Sequence, residues 1–432
     1  MWNGPTEAVC RRRLRWLRRL AVIGLGYAGL PLVQAASAVG FNVVGFDSNP
    51  TVADGLSAGK SHVVGVDDEA VARMVRGGVK FGSSEDILND CDIVAICVPT
   101  PLLADGAPDL SHLVAAGESV ARCLRRGELV IVESTSYPGT TDEVVRGILE
   151  GTGLEAGVDF NLASSPERID PGNLEFSLRN TPKVVGGLAE VCTRRAAAFY
   201  GRFCERVVPA KGPREAEMAK LIENTYRHVN IALVNEMAMF ARGLGVDIHD
   251  ALDCAASKPF GFQEFRPGPG AGGHCIPVDP CYLAERVRDL GAQFNLAEAA
   301  TDVNNRMPGY VVERIREMLV ADGKTVEDAT VVLLGVTYKE NISDIRNSPA
   351  VHIAELLYAQ GVRVRYHDPT VATWSVNGQF VHRVEDDLSS GLVGVDIVVL
   401  LQAHRCYTDE ALSVAPVVLD TRRVLSKATE YL

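Results

Sequence analysis

The sequence predicts an α/β protein with two doubly wound parallel sheets, joined by a long central helix and a helical middle domain. Strand-length apolar runs alternate with helical stretches in the first and last parts of the chain, as they do in parallel sheets covered by helices. Between them, residues 213–245 carry apolar side chains at helical spacing, which predicts one long helix. The 432 residues are 47% apolar and 23% charged, which is typical of a globular chain with several domains.

The first strand–turn–helix unit, residues 20–47, carries the most specific pattern. LAVIGLG and FNVVGFD predict buried strands around a helix, and Gly24, Gly26 and Gly29 have GxGxxG spacing. In such a turn the first glycine permits the bend, the second admits a pyrophosphate and the third lets helix and strand pack. Asp47 ends the second strand, where a carboxylate accepts hydrogen bonds from a ribose and disfavours a 2′-phosphate. The unit therefore predicts a Rossmann site for NAD.

Three further strands are predicted at residues 91–99, 128–135 and 161–168. Ligands in doubly wound sheets lie beyond the carboxyl ends of the strands. For each hydroxyl at these ends, helix capping or turn chemistry is the alternative interpretation. The side chains placed at this edge are Val98, Thr100, Ser134, Thr135 and Glu167.

The long helix is predicted to begin near Pro213 and to end near Gly243 or Gly245. Lys220 and Asn224 are four residues apart on it and share one face. Such a pair can move a proton and stabilise an alkoxide, although many helices carry the same pair without function. A single chain would expose the apolar side of this helix, which predicts a homodimer.

Residues 259–280 form an irregular loop with five glycines and five prolines around Cys275. Long irregular loops in compact proteins are usually functional. A thiolate beside a nicotinamide can add to an aldehyde, and hydride loss then gives a thioester that water hydrolyses. A buried structural thiol is the alternative, since the chain has ten cysteines.

The last part of the chain repeats the first design. Strands are predicted at 329–339, 362–369, 395–404 and 415–422, and VVLLGVTY parallels LAVIGLGY. This second copy lacks the full glycine pattern, so we expect it to bind no second dinucleotide. Lys339 follows its first strand and either contacts a phosphate or is simply solvated.

Charge and cysteine use exclude other classes of protein. A net charge of −12 argues against nucleic-acid binding, and beyond the first glycine turn no apolar stretch has the length of a membrane span. The cysteines form no Cys-x-x-Cys pair, so no metal site is predicted. Cysteines inside apolar runs, such as Cys91 and Cys97, suggest a cytoplasmic protein.

Seven motifs follow one another along the chain: VIGLGYAGLPL, CVPTP, ESTSYPGTT, SSPERIDPG, KLIENTYRHVNIALVNE, GPGAGGHCIPVDP and VTYKENISDIRNSP. In these motifs the chain after residue 18 resembles the UDP-glucose/GDP-mannose dehydrogenase family. The resemblance implies an NAD-binding N-terminal domain, a dimer-forming helical middle and a C-terminal domain that binds a nucleotide sugar. It also implies four-electron oxidation of a C6 alcohol to a carboxylate with two NAD. We divide the chain into a basic extension at 1–18, with disorder as one interpretation, and domains at 19–210, 211–320 and 321–432.

The family also implies roles for individual residues. Cys275 would be the nucleophile, Lys220 and Asn224 would stabilise the oxyanion, and Asp279 and Thr135 would support the lysine and a water. Glu167 would act as the base or position water in thioester hydrolysis. NAD contacts are expected at Gly24, Gly26, Tyr27, Ala28, Gly29, Asp47, Val98, Pro99, Thr100, Ser134, Thr135 and Arg346. Substrate contacts are expected at Glu167, Arg168, Lys220, Asn224, Arg227, Arg266, Gly272, Gly273, Cys275, Tyr338 and Lys339.

The substrate is less defined than the reaction. GGHCIPVDP and ESTSYPGTT are similar to the forms found in enzymes that act on UDP-N-acetylhexosamines, whereas UDP-glucose enzymes typically have GGSCFxKD. A UDP- or TDP-linked glucose of secondary metabolism remains an alternative. Two other classes also remain: a single-step hydroxyacid dehydrogenase, and a non-catalytic protein that binds a nucleotide sugar.

Overall fold

The computed structural model describes residues 19–103, 106–170, 172–173 and 175–432. The chain forms two compact units, and the boundary lies between Glu223 and Asn224. The predicted basic extension at 1–18 lies outside the described residues. Among the described residues, the structure has no helix that is both long and apolar enough to cross a membrane.

One eight-stranded sheet forms the centre of the first unit. Its strands are Arg19–Ile23 (β1), Asn42–Phe46 (β2), Lys80–Gly82 (β3), Ile93–Ile96 (β4), Leu129–Val132 (β5), Asn161–Ser164 (β6), Lys183–Gly187 (β7) and Val207–Pro209 (β8). Their spatial order is β3-β2-β1-β4-β5-β6-β7-β8. The order reverses between β1 and β4, so the loops after these strands border the crevice where such sheets bind ligands.

Helices cover both faces of this sheet. Along β1, Leu20 and Val22 enter one hydrophobic cluster, while Ala21 and Ile23 enter another on the opposite face, as the two-residue period of a strand requires. This burial on both sides confirms the doubly wound fold. The helices of the first unit are Gly29–Ala38 (α1), Pro50–Ser57 (α2), Asp68–Arg76 (α3), Ser111–Cys123 (α4), Arg146–Glu150 (α5) and Glu190–Tyr200 (α6), with a 3₁₀ turn at Glu85–Leu88 and a π-helical turn at Thr140–Val145.

Strand β7 runs against its neighbour β6, whereas every other pairing in the sheet is parallel. A parallel neighbour needs a crossover connection, usually a helix. No helix is present in the described residues between β6 and β7, and the chain returns directly alongside β6. The predicted parallel sheet is confirmed apart from this one antiparallel pairing, and β7 itself was not predicted from the sequence.

The long helix runs from Pro213 to Ala241 (α7), followed by a 3₁₀ turn and by Gly245 at a φ of +69°. Both predicted ends are confirmed, because proline starts the helix and a left-handed glycine ends it. The unit boundary falls inside this helix. The helices that follow are Ile248–Ala256 (α8), Asp279–Asp289 (α9), Asn295–Ala321 (α10), Pro349–Ala359 (α11) and Leu388–Gly391 (α12).

The second unit contains a six-stranded parallel sheet and a small antiparallel pair. The strands are Thr330–Leu334 (β9), Arg363–His367 (β10), Ser375–Val376 (β11), Gln379–Phe380 (β12), His382–Arg383 (β13), Ile397–Leu400 (β14), Val418–Asp420 (β15) and Glu430–Tyr431 (β16). The six-stranded order is β13-β10-β9-β14-β15-β16. The order β10-β9-β14-β15 repeats β2-β1-β4-β5 of the first sheet, which agrees with the two similar designs seen in the sequence.

Candidate active site

The glycine turn after β1 has the three properties predicted for a dinucleotide site. Gly24 has a φ of +87°, and a Cβ there would lie 2.7 Å from the carbonyl oxygen of Cys97. A Cβ on Gly29 would collide with the carbonyl oxygen of Gly24. A Cβ on Gly26, in contrast, would meet nothing within 4 Å. The turn is thus packed where helix and strand meet and open at the start of the helix, where a pyrophosphate is bound by free N–H groups.

Asp47 closes the same turn from the end of β2. Its carboxylate accepts hydrogen bonds from the backbone N–H groups of Leu25 and Asn49, each 3.0 Å long. The carboxylate is therefore fixed beside the turn, where it can accept hydrogen bonds from a ribose. Tyr27 and Ala28, at the open side of the turn, are half-buried. These features fit an NAD group.

The loops after β4 and β5 are cross-linked by their own hydroxyls. Thr100 donates to the carbonyl oxygen of Thr135 at 2.7 Å, and Ser134 donates to that of Val98 at 2.7 Å. Thr100 and Ser134 are both buried. These two hydrogen bonds hold the loops after β4 and β5 together. They are the turn chemistry that the sequence analysis gave as the alternative to ligand binding by these hydroxyls. Pro99 is exposed in the same loop.

Glu167 and Arg168 follow β6 and have different environments. Arg168 pairs with Glu223 through two hydrogen bonds of 3.2 and 2.6 Å, which tie the loop to α7. Glu167 Oε1 accepts hydrogen bonds from the backbone N–H groups of Arg168 and Ile169. Its other oxygen, Oε2, is buried and has no hydrogen-bond partner among the described residues. Arg168 thus anchors the chain, while Glu167 has acceptor capacity to spare.

The face of α7 that carries Lys220 begins with Glu217. Glu217 is buried and accepts hydrogen bonds from the backbone N–H groups of Gly139 and Thr141, at 2.8 and 2.9 Å. Lys220 is half-buried and makes no hydrogen bond or ion pair with the described residues of the first unit. The helix is therefore anchored one turn before Lys220.

In the second unit, the side-chain amide of Asn224 donates to Asp279 Oδ2 at 2.5 Å, and both residues are buried. Asp279 is the first residue of α9, and its backbone N–H donates to the carbonyl oxygen of Cys275 at 2.9 Å. Cys275 itself is exposed. The structure therefore brings together three of the predicted catalytic residues, with Asp279 connected to both Asn224 and the cysteine turn.

The glycines beside Cys275 pack against the protein. A Cβ on Gly273, whose φ is +91°, would lie 2.7 Å from the ring of Tyr338, and one on Gly272 would lie 2.9 Å from Tyr338 Cβ. The Gly273 N–H donates to the carbonyl oxygen of Arg346 at 3.1 Å, and its carbonyl oxygen accepts a 3.1 Å hydrogen bond from Asn347. Gly272 and Gly273 therefore let the cysteine loop dock on the loop after β9, and their contact with substrate stays a prediction.

The basic side chains of the second unit that are predicted to bind cofactor or substrate differ in their ion pairs and in their exposure. Arg346 pairs with Asp344, with a shortest contact of 2.6 Å, and Arg266 pairs with Asp253 and Glu264. Arg227 is exposed and Lys339 is half-buried. The guanidinium group of Arg266 is paired with two partly exposed carboxylates, and its contact with substrate stays a prediction.

The second sheet has its own version of the glycine turn. Gly335 donates to the carbonyl oxygen of His367 at 2.9 Å, and Val336 donates to Asp368 Oδ2 at 2.8 Å, just as Gly24 and Leu25 contact Phe46 and Asp47. Asp368 is fully buried and also contacts the ring of His404 at 3.1 Å. Because His404 occupies this carboxylate, Asp368 is not available to a ribose.

A buried ionic cluster behind Glu167 was missed in the sequence. Lys183, Glu133 and Tyr200 are all at most 2% exposed. The Lys183 ammonium donates to Glu133 Oε2 at 2.6 Å, and the Tyr200 hydroxyl donates to Glu133 Oε1 at 2.5 Å. The only signal for it in the sequence is a charged residue at the edge of each of two apolar runs, VIVES and PKVVGG.

Comparison with known proteins places these features in one family. Residues 18–204, 214–306 and 332–427 match the NAD binding domain, the central domain and the UDP binding domain of the UDP-glucose/GDP-mannose dehydrogenase family. The chain is 35% identical over 388 residues to UDP-N-acetyl-D-mannosamine dehydrogenase of Pyrococcus horikoshii, covering 89% of each chain. It is 34% identical over 394 residues to protein CapL of Staphylococcus aureus, covering 91% of each.

Solved structures give the same assignment. The structure of the UDP-D-ManNAc dehydrogenase from Pyrococcus horikoshii has a TM-score of 0.86 at 32% identity, covering 96% of this chain and 98% of that one. A UDP-glucose dehydrogenase from Pyrobaculum islandicum has a TM-score of 0.85 at 31% identity, covering 100% and 99%. These likenesses confirm the predicted fold class.

Proposed function

Because the chain belongs to the UDP-glucose/GDP-mannose dehydrogenase family and contains its NAD binding domain, we propose that it oxidises the C6 alcohol of a UDP-linked N-acetylhexosamine to the carboxylate. The names of its relatives favour UDP-N-acetylmannosamine as the first substrate to test. The likeness to a UDP-glucose dehydrogenase makes UDP-glucose the second. The single observation that carries the proposal is the Asn224–Asp279–Cys275 arrangement in a chain of this family.

The cofactor fits the turn formed by Gly24, Gly26 and Gly29, with Asp47 placed for the ribose. When bound there, NAD accepts one hydride from the sugar carbon in each of two oxidations. The open space beside Gly26 would hold the pyrophosphate at the start of α1, where the helix dipole favours negative charge. The chain's remaining residues supply binding, proton transfer and a nucleophile.

In the first oxidation, the proton of the C6 hydroxyl passes to a water molecule as its carbon gives up a hydride to NAD. Lys220 would stabilise the developing alkoxide, since its ammonium group has no hydrogen bond or ion pair with the described residues of the first unit. Asn224 gives one amide hydrogen to Asp279 and has a second amide hydrogen that would stabilise the negative charge on the sugar oxygen. Removing one such donor typically costs about 10²–10³ in kcat.

For the second oxidation, the Cys275 thiolate adds to the aldehyde carbon, so a C–S bond forms and the carbonyl oxygen becomes an alkoxide. Loss of a hydride from that carbon leaves a thioester. Water then adds to the thioester, the C–S bond breaks and the thiolate leaves. Glu167, with one oxygen fixed by backbone N–H groups and the other without a hydrogen-bond partner among the described residues, would accept the proton from that water.

We also propose a homodimer built on α7. Apolar side chains recur at helical spacing on this helix and are largely exposed: Ile222 is 56%, Tyr226 47%, Leu233 50% and Phe240 50% exposed. A contiguous exposed apolar stripe of this kind marks a contact surface. On a helix, a self-complementary stripe suits a twofold contact between two copies.

The experiment is an absorbance assay at 340 nm with NAD and a panel of UDP- and TDP-linked sugars: glucose, GlcNAc, GalNAc and ManNAc. The proposal expects two NADH per sugar consumed, with the highest specificity constant for UDP-ManNAc. One NADH per molecule would identify a single-step dehydrogenase. Tight binding without NADH would identify a binding protein, and a preference for UDP-glucose would move the substrate assignment but not the reaction.

A further inference from the structure

The cluster of Lys183, Glu133 and Tyr200 lies at the edge of the first sheet that carries the predicted ligands. Because β7 runs antiparallel to β6, with Ser164 opposite Gly186, the first residue of β7 lies where the parallel strands end. That residue is Lys183. Its ammonium group therefore reaches the loop after β6, where it contacts the carbonyl oxygen of Pro166 at 3.4 Å.

Lys183 faces two carboxylates. It donates to Glu133 Oε2 at 2.6 Å and lies 3.6 Å from Glu167 Oε2. The Glu167 oxygen is buried without a hydrogen-bond partner among the described residues, so the lysine is the nearest positive charge that it has in this unit. A buried carboxylate without such a charge takes up a proton.

Lys183 is the cation of this cluster, because the hydroxyl and thiol groups around it are neutral and Arg168 is paired elsewhere. The Tyr200 hydroxyl donates to Glu133 at 2.5 Å and stays protonated, since burial raises its pKa well above the ordinary value. Burial likewise raises the pKa of the nearby thiols, Cys97 and Cys204, the latter to about 11. The guanidinium group of Arg168 is directed to Glu223.

Resting on the function proposed above, we propose that Lys183 is a positioning residue: it shares one positive charge between Glu133 and Glu167 and so keeps the Glu167 carboxylate ionised for thioester hydrolysis. Burial opposes the lysine charge, but the two carboxylates outweigh it and raise the pKa of Lys183. Burial raises the pKa of Glu133 to about 7, against the lowering effect of Lys183. The two carboxylates thus compete for the Lys183 ammonium group, and the charge on Glu133 determines how strongly that group stabilises the charge on Glu167.

This competition predicts shifts in opposite directions. Lys183→Met removes the positive charge and should move the acid limb of the kcat profile to higher pH by about one unit, which is a loss of about tenfold in kcat at pH values on that limb. Glu133→Gln removes the competing negative charge and should move the same limb to lower pH. A general loss of packing cannot produce both shifts. Lys211→Met, at an exposed lysine of the same unit, is the matched control and should shift neither.

Lys183→Met leaves two buried carboxylates without a cation and can fail to fold. The double variant Lys183→Met/Glu133→Gln removes both charges of the pair, and its acid limb should lie above that of Glu133→Gln alone. Shifts in the same direction, or no shift in either variant, would overturn the proposal.

A second readout separates this proposal from the proposed function. With ¹³C-labelled glutamate, the carboxyl signal that Glu167→Gln removes can be followed against pH without any substrate. Opposite shifts of that titration in the Lys183 and Glu133 variants would support the proposal even if no sugar in the panel is oxidised. Unchanged titration in an active enzyme would refute the role of Lys183 and leave the reaction standing.

Discussion

The glycine turn after β1 allows a sharp test, because its glycines differ in what a methyl group would meet. At Gly29 a Cβ would collide with the Gly24 carbonyl oxygen, whereas at Gly26 nothing lies within 4 Å. A methyl group against backbone cannot be relieved by a side-chain rotation, so Gly29→Ala should cost about 3 kcal/mol, the upper part of the range for overpacking. For a unit of this size that corresponds to roughly 6–12 °C in Tm.

Gly26→Ala should instead leave the free energy of unfolding unchanged or slightly higher, since Gly26 does not have a positive φ. It should weaken NAD binding at least about tenfold, or 1.4 kcal/mol, because the methyl group occupies the space for the pyrophosphate. The assay is calorimetric titration with NAD alongside thermal unfolding. Gly55→Ala, at a glycine with the same open surroundings in α2, is the control and should bind NAD normally. Normal NAD affinity in Gly26→Ala would refute this reading of the turn.

Three further substitutions test the ribose contact, a buried histidine and the proposed dimer. Asp47→Ser should narrow the preference for NAD over NADP, measured as the ratio of their kcat/KM values; an unchanged ratio would contradict the ribose role. Burial lowers the pKa of His228 to about 4, so the folded protein binds this proton more weakly than the unfolded chain. The free energy of unfolding should therefore fall by up to about 3 kcal/mol as the pH drops from 6.5 towards 4. In His228→Gln the free energy of unfolding, measured with denaturant, should fall less between pH 6.5 and 4; an equally steep fall would contradict the role of His228. Phe240→Glu should weaken the dimer in sedimentation, and an unaltered mass would remove α7 as the interface.

The parts of the fold that could be predicted from the sequence are those governed by local pattern. The glycine spacing, the apolar runs and the proline and glycine at the ends of α7 each act within a few residues. They placed β1, β2 and Asp47 correctly, and they located α7. The family resemblance implied that Asp279 supports the lysine and a water, and its hydrogen bond to Asn224 was not predicted, since 55 residues separate the two.

What could not be predicted depends on pairing between distant segments. The direction of β7 is decided by the absence of a crossover in the described residues before it, and this direction alone brings Lys183 to the ligand edge. Gly272 and Gly273 carry no sign in the sequence that Tyr338 will fill the space beside them. For the same reason, a pattern of isolated residues cannot show that Arg266 is already paired with two carboxylates.

The mechanism depends most on Cys275 holding the sugar through the second oxidation, first as the adduct with the aldehyde and then as the thioester. Rapid acid quench during turnover of UDP-ManNAc with NAD, followed by mass measurement of the peptide that contains Cys275, tests it directly. We expect a uronyl-nucleotide mass on that cysteine, transient in the native enzyme and accumulating in Glu167→Gln. A peptide of unmodified mass in both proteins, while two NADH are formed per sugar, would contradict it.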